Sequence, residues 1–287
     1  MSEEGFHLPS LPIDDGQVHR FATPTDKKGK KSGWYVLHTH PYPFGTFGCH
    51  RQGPPWYQWS QQHEKTASRE TIENNQRAMA VLRNHLKKRE LQTQQQAALK
   101  CLHLWNSAAT ASSHAYLNNK GVLSYGLRQI AGDLLIPVHD EHYQLTSLQH
   151  ISSSHNDQGM HFHKRFFPGG KTAGCFYLIG KPVTKLYIAE GYATAATIHR
   201  ITGLPVCIAF SCHNMKSVAI TMRRLYPTIV LFIAADNDRF TKGNPGLTQG
   251  KLAAKASGAT LFCPTFPPDS KGTDFNDLAR INKKMYH

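Results

Sequence analysis

From Leu134 onward, short apolar runs and amphipathic stretches take turns along the chain. LLIPV at Leu134–Val138 and LTSLQHI at Leu145–Ile151 predict two strands joined by a turn at Asp140-Glu141. Phe162–Phe167 and Cys175–Ile179 predict two more, parted by Gly169-Gly170. Strands at Lys185–Ala189, Val206–Phe210, Ile229–Ala235 and Thr260–Cys263 then alternate with helices at Gly191–Thr202, Met215–Leu225 and Thr248–Ser257. That alternation predicts a mainly parallel sheet with helices on its faces. Upstream the period changes. The stretch Glu64–Ala109 holds no Pro or Gly, and Ile72, Met79, Leu82 and Leu86 fall at heptad-like positions, so a long helix or helix pair is expected. Its polar side carries Arg83, Lys87, Lys88 and Arg89. Residues 33–61 break into short aromatic runs punctuated by Gly and Pro, which predicts a small antiparallel sheet. The expected division is a basic, aromatic, β-rich region at 1–62, a helical connector at 63–114, a mixed subdomain at 115–182 and the parallel-sheet domain at 183–287.

Charge adds a partner to this outline. The 287 residues include 33 Lys plus Arg against 19 Asp plus Glu, a formal net charge of +14, and 40% are hydrophobic. A core is affordable, and the surface suits a polyanion; nucleic acid is the commonest, an anionic membrane surface the rival. No apolar run is long enough to span a membrane, and the first residues lack the order of a secretory signal, so the expected location is cytoplasmic. The six cysteines, with no CxxC, read as reduced thiols. His38, His40, Cys49 and His50 form the nearest approach to a zinc set, but their spacing is unlike structural zinc and no zinc is expected. Beside the lysine run Lys27, Lys28, Lys30 and Lys31, the aromatics Trp34, Tyr35, Tyr42, Phe44, Phe47, Trp56, Tyr57 and Trp59 could stack bases. Packing in a small core is the expectation we favour, because alternating aromatics in strands usually pack.

The chemistry lies at the strand ends. In open α/β sheets ligands bind beyond the carboxyl ends of the strands. There stand Glu190-Gly191, then Asp236-Asn237-Asp238, and after the last strand Asp274-Phe275-Asn276-Asp277. Acidic residues from three segments should therefore meet on one rim of a basic chain. Asp236 and Asp238 are two apart, so in extended chain both leave on the same side. Paired carboxylates repel each other but suit Mg²⁺, which takes oxygen ligands and keeps waters. Strand-end acids also cap helices. A lone Asp would be read that way; Glu-Gly after one strand and Asp-x-Asp after another point to function. Gly191 would let the chain turn sharply and leave Glu190 at the positive end of the next helix.

The ordered pair of strand–Glu190-Gly191 and strand–Asp236-Asn237-Asp238, followed by Asp274-Phe275-Asn276-Asp277, resembles the Toprim domain of bacterial primases, topoisomerases and some nucleases. With LLIPVHD, LTSLQHI, KRFFPGGKTAGCFYLIG and Asn244-Pro245-Gly246, the likeness narrows to Toprim primases of conjugative plasmids and prophages, over about residues 20–280. The resemblance implies RNA primer synthesis on single-stranded DNA from ribonucleoside triphosphates, with Mg²⁺ as cofactor and Mn²⁺ as a substitute. It implies Glu190 as acid/base or metal ligand, Asp236 and Asp238 as metal-binding and catalytic, and Asp274 as a further metal ligand. Lys164 and Arg165 would contact template or incoming nucleotide. Lys171, His213 and Asn214 are further candidates for nucleotide or nucleic-acid contact. Such primases are often fused to a helicase, so a separate replicative helicase is a candidate partner.

Rivals are measured against the same residues. Gly169-Gly170-Lys171-Thr172 looks like the tail of a P-loop, but Arg165 stands where the first Gly is required. Cys212-His213 are adjacent and would point apart in extended chain, which disfavours a cysteine nucleophile. A Toprim nuclease using the same ions would not need Leu134–Ile179. A topoisomerase would need a tyrosine-bearing domain. A non-catalytic single-stranded-DNA-binding protein would not need all three acids.

Overall fold

The computed structural model describes residues 1, 5–8, 11–26, 28–39, 43–49, 57–60, 69–156 and 159–285. The chain divides into two compact units, Met1–Lys87 and Lys88–His287. The first holds four antiparallel strands in chain order, β1 (His19–Phe21), β2 (Gly33–His38), β3 (Phe44–Cys49) and β4 (Tyr57–Ser60). Cross-strand pairing sets Tyr35 opposite Phe47 and Phe47 opposite Tyr57, a ladder of rings on one face. The Phe47 and Tyr57 rings stack at 5.2 Å, and Phe6, Phe21 and Cys49 complete the cluster. Tyr35, Phe47 and Tyr57 thus pack as core, while Trp59 stays 46% exposed. Lys28, Lys30 and Lys31 lie in the β1–β2 connection. Lys27, His40, Tyr42, His50 and Trp56 lie outside the described residues, as do the side chains of Phe44, Ile72, Met79, Leu82, Arg83 and Leu86.

Helix α1 (Arg69–Ser107) begins in the first unit and ends in the second. It is one helix and not a pair, about 58 Å long at 1.5 Å per residue. In the second unit, β5 (Ala109–Thr110), helix α2 (Ala115–Lys120), β6 (Arg128–Ile130), β7 (Asp133–His139), β8 (Leu145–Asn156) and β9 (Gly159–Phe166) follow. The five strands make an antiparallel meander. One face packs on α1 through Leu135 and Leu148 against Cys101 and Ala108, with Leu104 and Trp105 alongside. Leu134, Ile136 and Ile151, on the other face, join the main core. The period-2 alternation of β7 is what sends neighbouring leucines to opposite layers.

The second sheet of this unit is built from β10 (Tyr177–Ile179), β11 (Lys185–Ala189), α3 (Tyr192–Thr202), β12 (Val206–Ile208), α4 (Cys212–Leu225), β13 (Val230–Ala234), α5 (Pro245–Ser257), β14 (Thr260–Phe262) and α6 (Phe275–Met285). Its order is β10-β12-β11-β13-β14, parallel except for β10, which pairs antiparallel with β12. Leu186, Ile188, Leu231 and Ile233 pack beneath α4 and α5; Ala189, Val206 and Ala234 join α3 and the meander on the other face. Reciprocal bonds of 2.8 Å between His139 and Phe176 tie the two sheets together. Among the described residues no helix is long and apolar enough to cross a membrane. Helices start earlier than their apolar periodicity suggests: α4 begins at Cys212 behind the cap Ser211, and α5 at Pro245 behind Asn244.

Asn276, 1% exposed, fastens three helices: its amide donates to the Lys120 carbonyl at 2.9 Å and to Thr197 Oγ1 at 2.8 Å. Asn276→Ala should lower stability by about 1–3 kcal/mol, the range for a buried polar group left without its partner. Urea unfolding of the full chain reads this; an unchanged midpoint would show that the strut carries no stability.

Candidate active site

Strands β11 and β13 lie side by side at the centre, and the chain leaves β11 for β12 on one side and β13 for β14 on the other. That reversal opens a crevice at the carboxyl end of β11, the switch point of an open sheet. Glu190 stands there, one residue past Ala189. The backbone N–H of Cys212 lies on the side of its carboxylate and favours the charged form. The positive helix end beside it is therefore that of α4, not of α3 as the Glu-Gly pair suggested. Gly191 caps α3 with extended backbone at φ −113°, and a Cβ there would meet nothing within 4 Å. It is not needed for the turn.

Asp236 and Asp238 follow β13 in a loop. Asp238 Oδ2 accepts the Gly246 N–H at 2.8 Å, in the first turn of α5. Gly246 is fixed by closeness: an added Cβ would stand 2.7 Å from the Asp236 carbonyl and 2.9 Å from Asp238 Oδ2. Between the acids, Asn237 turns away. Its N–H donates to the Thr273 carbonyl at 2.7 Å and its amide to the Pro264 carbonyl at 3.0 Å. Arg239 donates to the Ser270 carbonyl, its guanidinium 4.8 Å from the Phe240 ring centre and 5.1 Å from that of Phe266. Asp236 and Asp238 thus serve the rim while Asn237 and Arg239 hold the loop that ends at Asp274. The sequence reasoning missed Asn237, Arg239 and Gly246; alternation within Asp236–Arg239 was the available signal. Asp274 Oδ1 accepts the Asp277 N–H at 2.8 Å. Asp274 thereby caps α6, and Asp277, inside the helix, completes the cap by accepting from the Thr273 N–H at 3.1 Å, with the Lys120 ammonium 3.9 Å away.

Burial and mutual repulsion govern these acids. Asp236 is pushed up to about 8, first by burial and then by Glu190, Asp274 and Asp238, with Lys164 opposing. Its Oδ1 is buried with no hydrogen-bond partner among the described residues. Glu190 is raised by burial and by Asp238, against the Cys212 N–H and Lys164. Asp274 is raised chiefly by burial, against the Asp277 N–H. The three segments do converge on one rim.

Residues 185–283 match the Toprim family. They form a Toprim domain. The chain is also similar to two DNA primases named TraC from Escherichia coli. One is 30% identical over 269 residues, spanning 90% of this chain and 25% of the relative. The other is 27% identical over 287 residues, 96% of this chain and 19% of the relative. This chain therefore spans a quarter or less of the curated relatives it matches, and its similarity to these DNA primases reaches well beyond residues 185–283. Among solved structures, the DnaG primase catalytic domain bound to single-stranded DNA aligns with 69% of this chain and 80% of its own, at 11% identity and a TM-score of 0.44.

Around the Toprim rim the expected basic residues separate. Lys164 pairs with Ile151 on the inner face of β9 and lies 5.5 Å over the Tyr116 ring. Although it is exposed by area, protein atoms crowd its ammonium and press its pKa down, while Asp274, Glu190 and Asp236 press it up. It faces Asp274, Glu190 and Asp236. Arg165, next along the strand, pairs with His150 and leaves on the α1 side. The structure does not bring it to the rim. Lys171 and His213 are exposed. Asn214 is fully engaged: its amide donates to the carbonyls of Thr172, Cys175 and Ala209, and its oxygen accepts from Gly174. It shapes the loop after Lys171 and has no donor left for phosphate. Cys212 and His213 lie in the first turn of α4, not in extended chain, and burial with Glu190 and Asp238 pushes the Cys212 thiol up to about 11. No thiolate forms at neutral pH.

The donors at the rim are carboxylate oxygens, and one oxygen of Asp236 is open. That suits a hard cation such as Mg²⁺, which uses one or two carboxylates and keeps its waters. Among the described residues no three His, Cys, Asp or Glu side chains close into a ready cage for a metal.

The raised pKa of Asp236 has a definite sign for stability. A carboxyl that binds its proton more tightly when folded makes stability fall as pH rises from about 4 toward 8. In chelator, the amount by which Asp236→Asn melts above the parent should grow by several degrees between pH 5 and pH 8. Thermal melts across pH check this; identical curves at both pH values would place the burden elsewhere.

Proposed function

We propose that this chain is a Toprim DNA primase of the plasmid or prophage type, making short RNA primers on single-stranded DNA. The observation that carries the proposal is the rim itself: Glu190, Asp236, Asp238 and Asp274 at the switch point of the sheet, faced by Lys164. The TraC relatives, named DNA primases, support it over most of the chain, and the upstream meander is the feature a Toprim nuclease would not need. The division proposed is a β-rich region at 1–62, a connector at 63–114, a primase subdomain at 115–182 and the Toprim domain at 183–287. Ribonucleoside triphosphates are the proposed substrates and a replicative helicase a proposed partner.

In this reading Asp236, Asp238, Glu190 and Asp274 would hold Mg²⁺, or Mn²⁺ in its place. When bound, the ion neutralises triphosphate charge and makes the attacking 3′-hydroxyl more acidic. Lys164 keeps the crowded carboxylates together and meets phosphate from the opposite wall. Lys171 and His213, exposed next to the α4 N-terminus, offer donors to the strand or nucleotide, and that N-terminus favours anions. Glu190, beside the N-terminus of α4 and with its pKa raised by burial, is placed to take a proton or to bind metal.

Primer synthesis on single-stranded DNA with labelled ribonucleotides and Mg²⁺ tests this directly. Glu190→Gln and Asp236→Asn should each cut synthesis by about 100-fold or more, within the usual span for an acid–base group. Shortened DNA without new oligomers would instead establish a nuclease. Because metal must displace the proton from Asp236, the Mg²⁺ needed for half-maximal synthesis should fall as pH rises from 6.5 to 8.5. A requirement flat across that range would contradict the role given to Asp236.

A further inference from the structure

Four residues other than glycine take positive φ among the described residues, and one of them, Phe210 at φ +67°, stands beside the rim. It links the end of β12 to α4: the Ala209 N–H still donates to the Ala189 carbonyl at 2.9 Å, and Ser211 already caps the helix. Glycine serves such a turn without steric cost, whereas a bulky side chain is strained there. A phenyl ring kept at a strained position points to a contact made by the ring. That contact is Phe166 of β9, met edge to face with ring centres 5.7 Å apart. Phe166 lies two residues past Lys164, on the same face of the strand. Two residues before Lys164, Phe162 meets Tyr116 of α2 in the same manner at 5.3 Å, and the Lys164 ammonium stands 5.5 Å over the Tyr116 ring. Strand β9 is the edge of the meander, paired with β8 alone among the described residues. Two aromatic pairs, one on each side of Lys164, therefore hold its inner face.

We propose that Phe210 is a positioning residue of this site: its ring carries the geometry of the β12–α4 turn across to β9 and keeps Lys164 over the acids. The turn that sets the Cys212 N–H on the side of Glu190 is the same one that aims the ring at Phe166. An acid and the cation facing it are thereby placed from one point in the chain, and phosphates entering between them would meet a gap of fixed width. Without the ring, β9 would be held at its Tyr116 end alone. Lys164, a point charge on a flexible four-carbon stem, would then spread its charge over a wider volume. That the phosphates belong to a ribonucleoside triphosphate rests on the primase reading; the hold on β9 does not.

The test uses the full chain and Phe210→Gly, which keeps the left-handed backbone and removes only the ring. In hydrogen exchange, the bonded amides of Phe162–Phe166 should exchange about tenfold faster in the variant, for the loss of one edge-to-face pair and its buried area. Those of β13 and α5 should keep the parent's rates. Phe210→Ala, which loses the ring and keeps the strain, should melt below Phe210→Gly. Phe210→Tyr should restore the parent's exchange. Binding of fluorescent N-methylanthraniloyl-ATP with Mg²⁺ then reads the effect on Lys164. Lys164→Ala should weaken it by about tenfold or more, and Phe210→Gly by about fivefold. The double variant should bind no more weakly than Lys164→Ala, because Phe210 acts through the lysine. Losses that multiply in the double variant, or β9 exchange that Phe210→Gly leaves unchanged, overturn the inference. A parent that makes no primers or binds no such nucleotide sinks the primase reading, and the exchange in β9 still decides on Phe210.

Discussion

Carboxylates gathered at a half-buried rim repel one another, and much of the second unit is arranged to hold them there. Asp236, pushed up to about 8, feels Glu190, Asp274 and Asp238 together. Left to themselves such groups would swing apart into water. Backbone donors oppose it: the Gly246 N–H holds Asp238 and the Asp277 N–H holds Asp274, while the Cys212 N–H favours the charged form of Glu190. Each of these donors lies in the first turn of a helix, where N–H groups lack helical partners and positive potential is greatest. Three helices that look like mere cover for a parallel sheet thus aim their amino ends at one place.

The chain around this rim is strongly basic, and its charge is not spread uniformly over the second unit. Lys164 faces the acids, while Arg165, one residue on, faces α1. Strand geometry alone makes this division, since neighbouring residues of a strand leave on opposite faces. One short run therefore serves two surfaces, the rim and the face on the α1 side. The antiparallel β10 and the His139–Phe176 pairing fix the meander to the Toprim sheet, so Lys164 is held in place against the acids from outside the Toprim domain.

Much of this was legible in the sequence. Alternation of apolar strands with amphipathic helices, and acids directly after Ala189 and Ala235, mark the rim in the sequence itself. What stayed hidden depends on contacts distant along the chain. Glu190 looked as if it should serve α3 because α3 comes next; the N–H that favours its charged form is in α4, which starts at Cys212 because Ser211 caps it. Asn237 and Arg239 gave no sign of function because their partners are backbone carbonyls at Pro264, Ser270 and Thr273. Asn214 looked available for phosphate, yet the carbonyls of Thr172, Cys175 and Ala209 use its amide fully. In each case one residue type fits several roles, and only the folded neighbours decide among them.

The account rests on crowded carboxylates that a divalent cation would relieve. The most direct measurement is a ¹³C carboxylate NMR titration of Asp236 with and without Mg²⁺. Without metal, Asp236 should titrate near 8, and saturating Mg²⁺ should bring it down into or below the ordinary carboxylate range. An Asp236 that titrates near 4 without metal, or one that Mg²⁺ does not move, would contradict it.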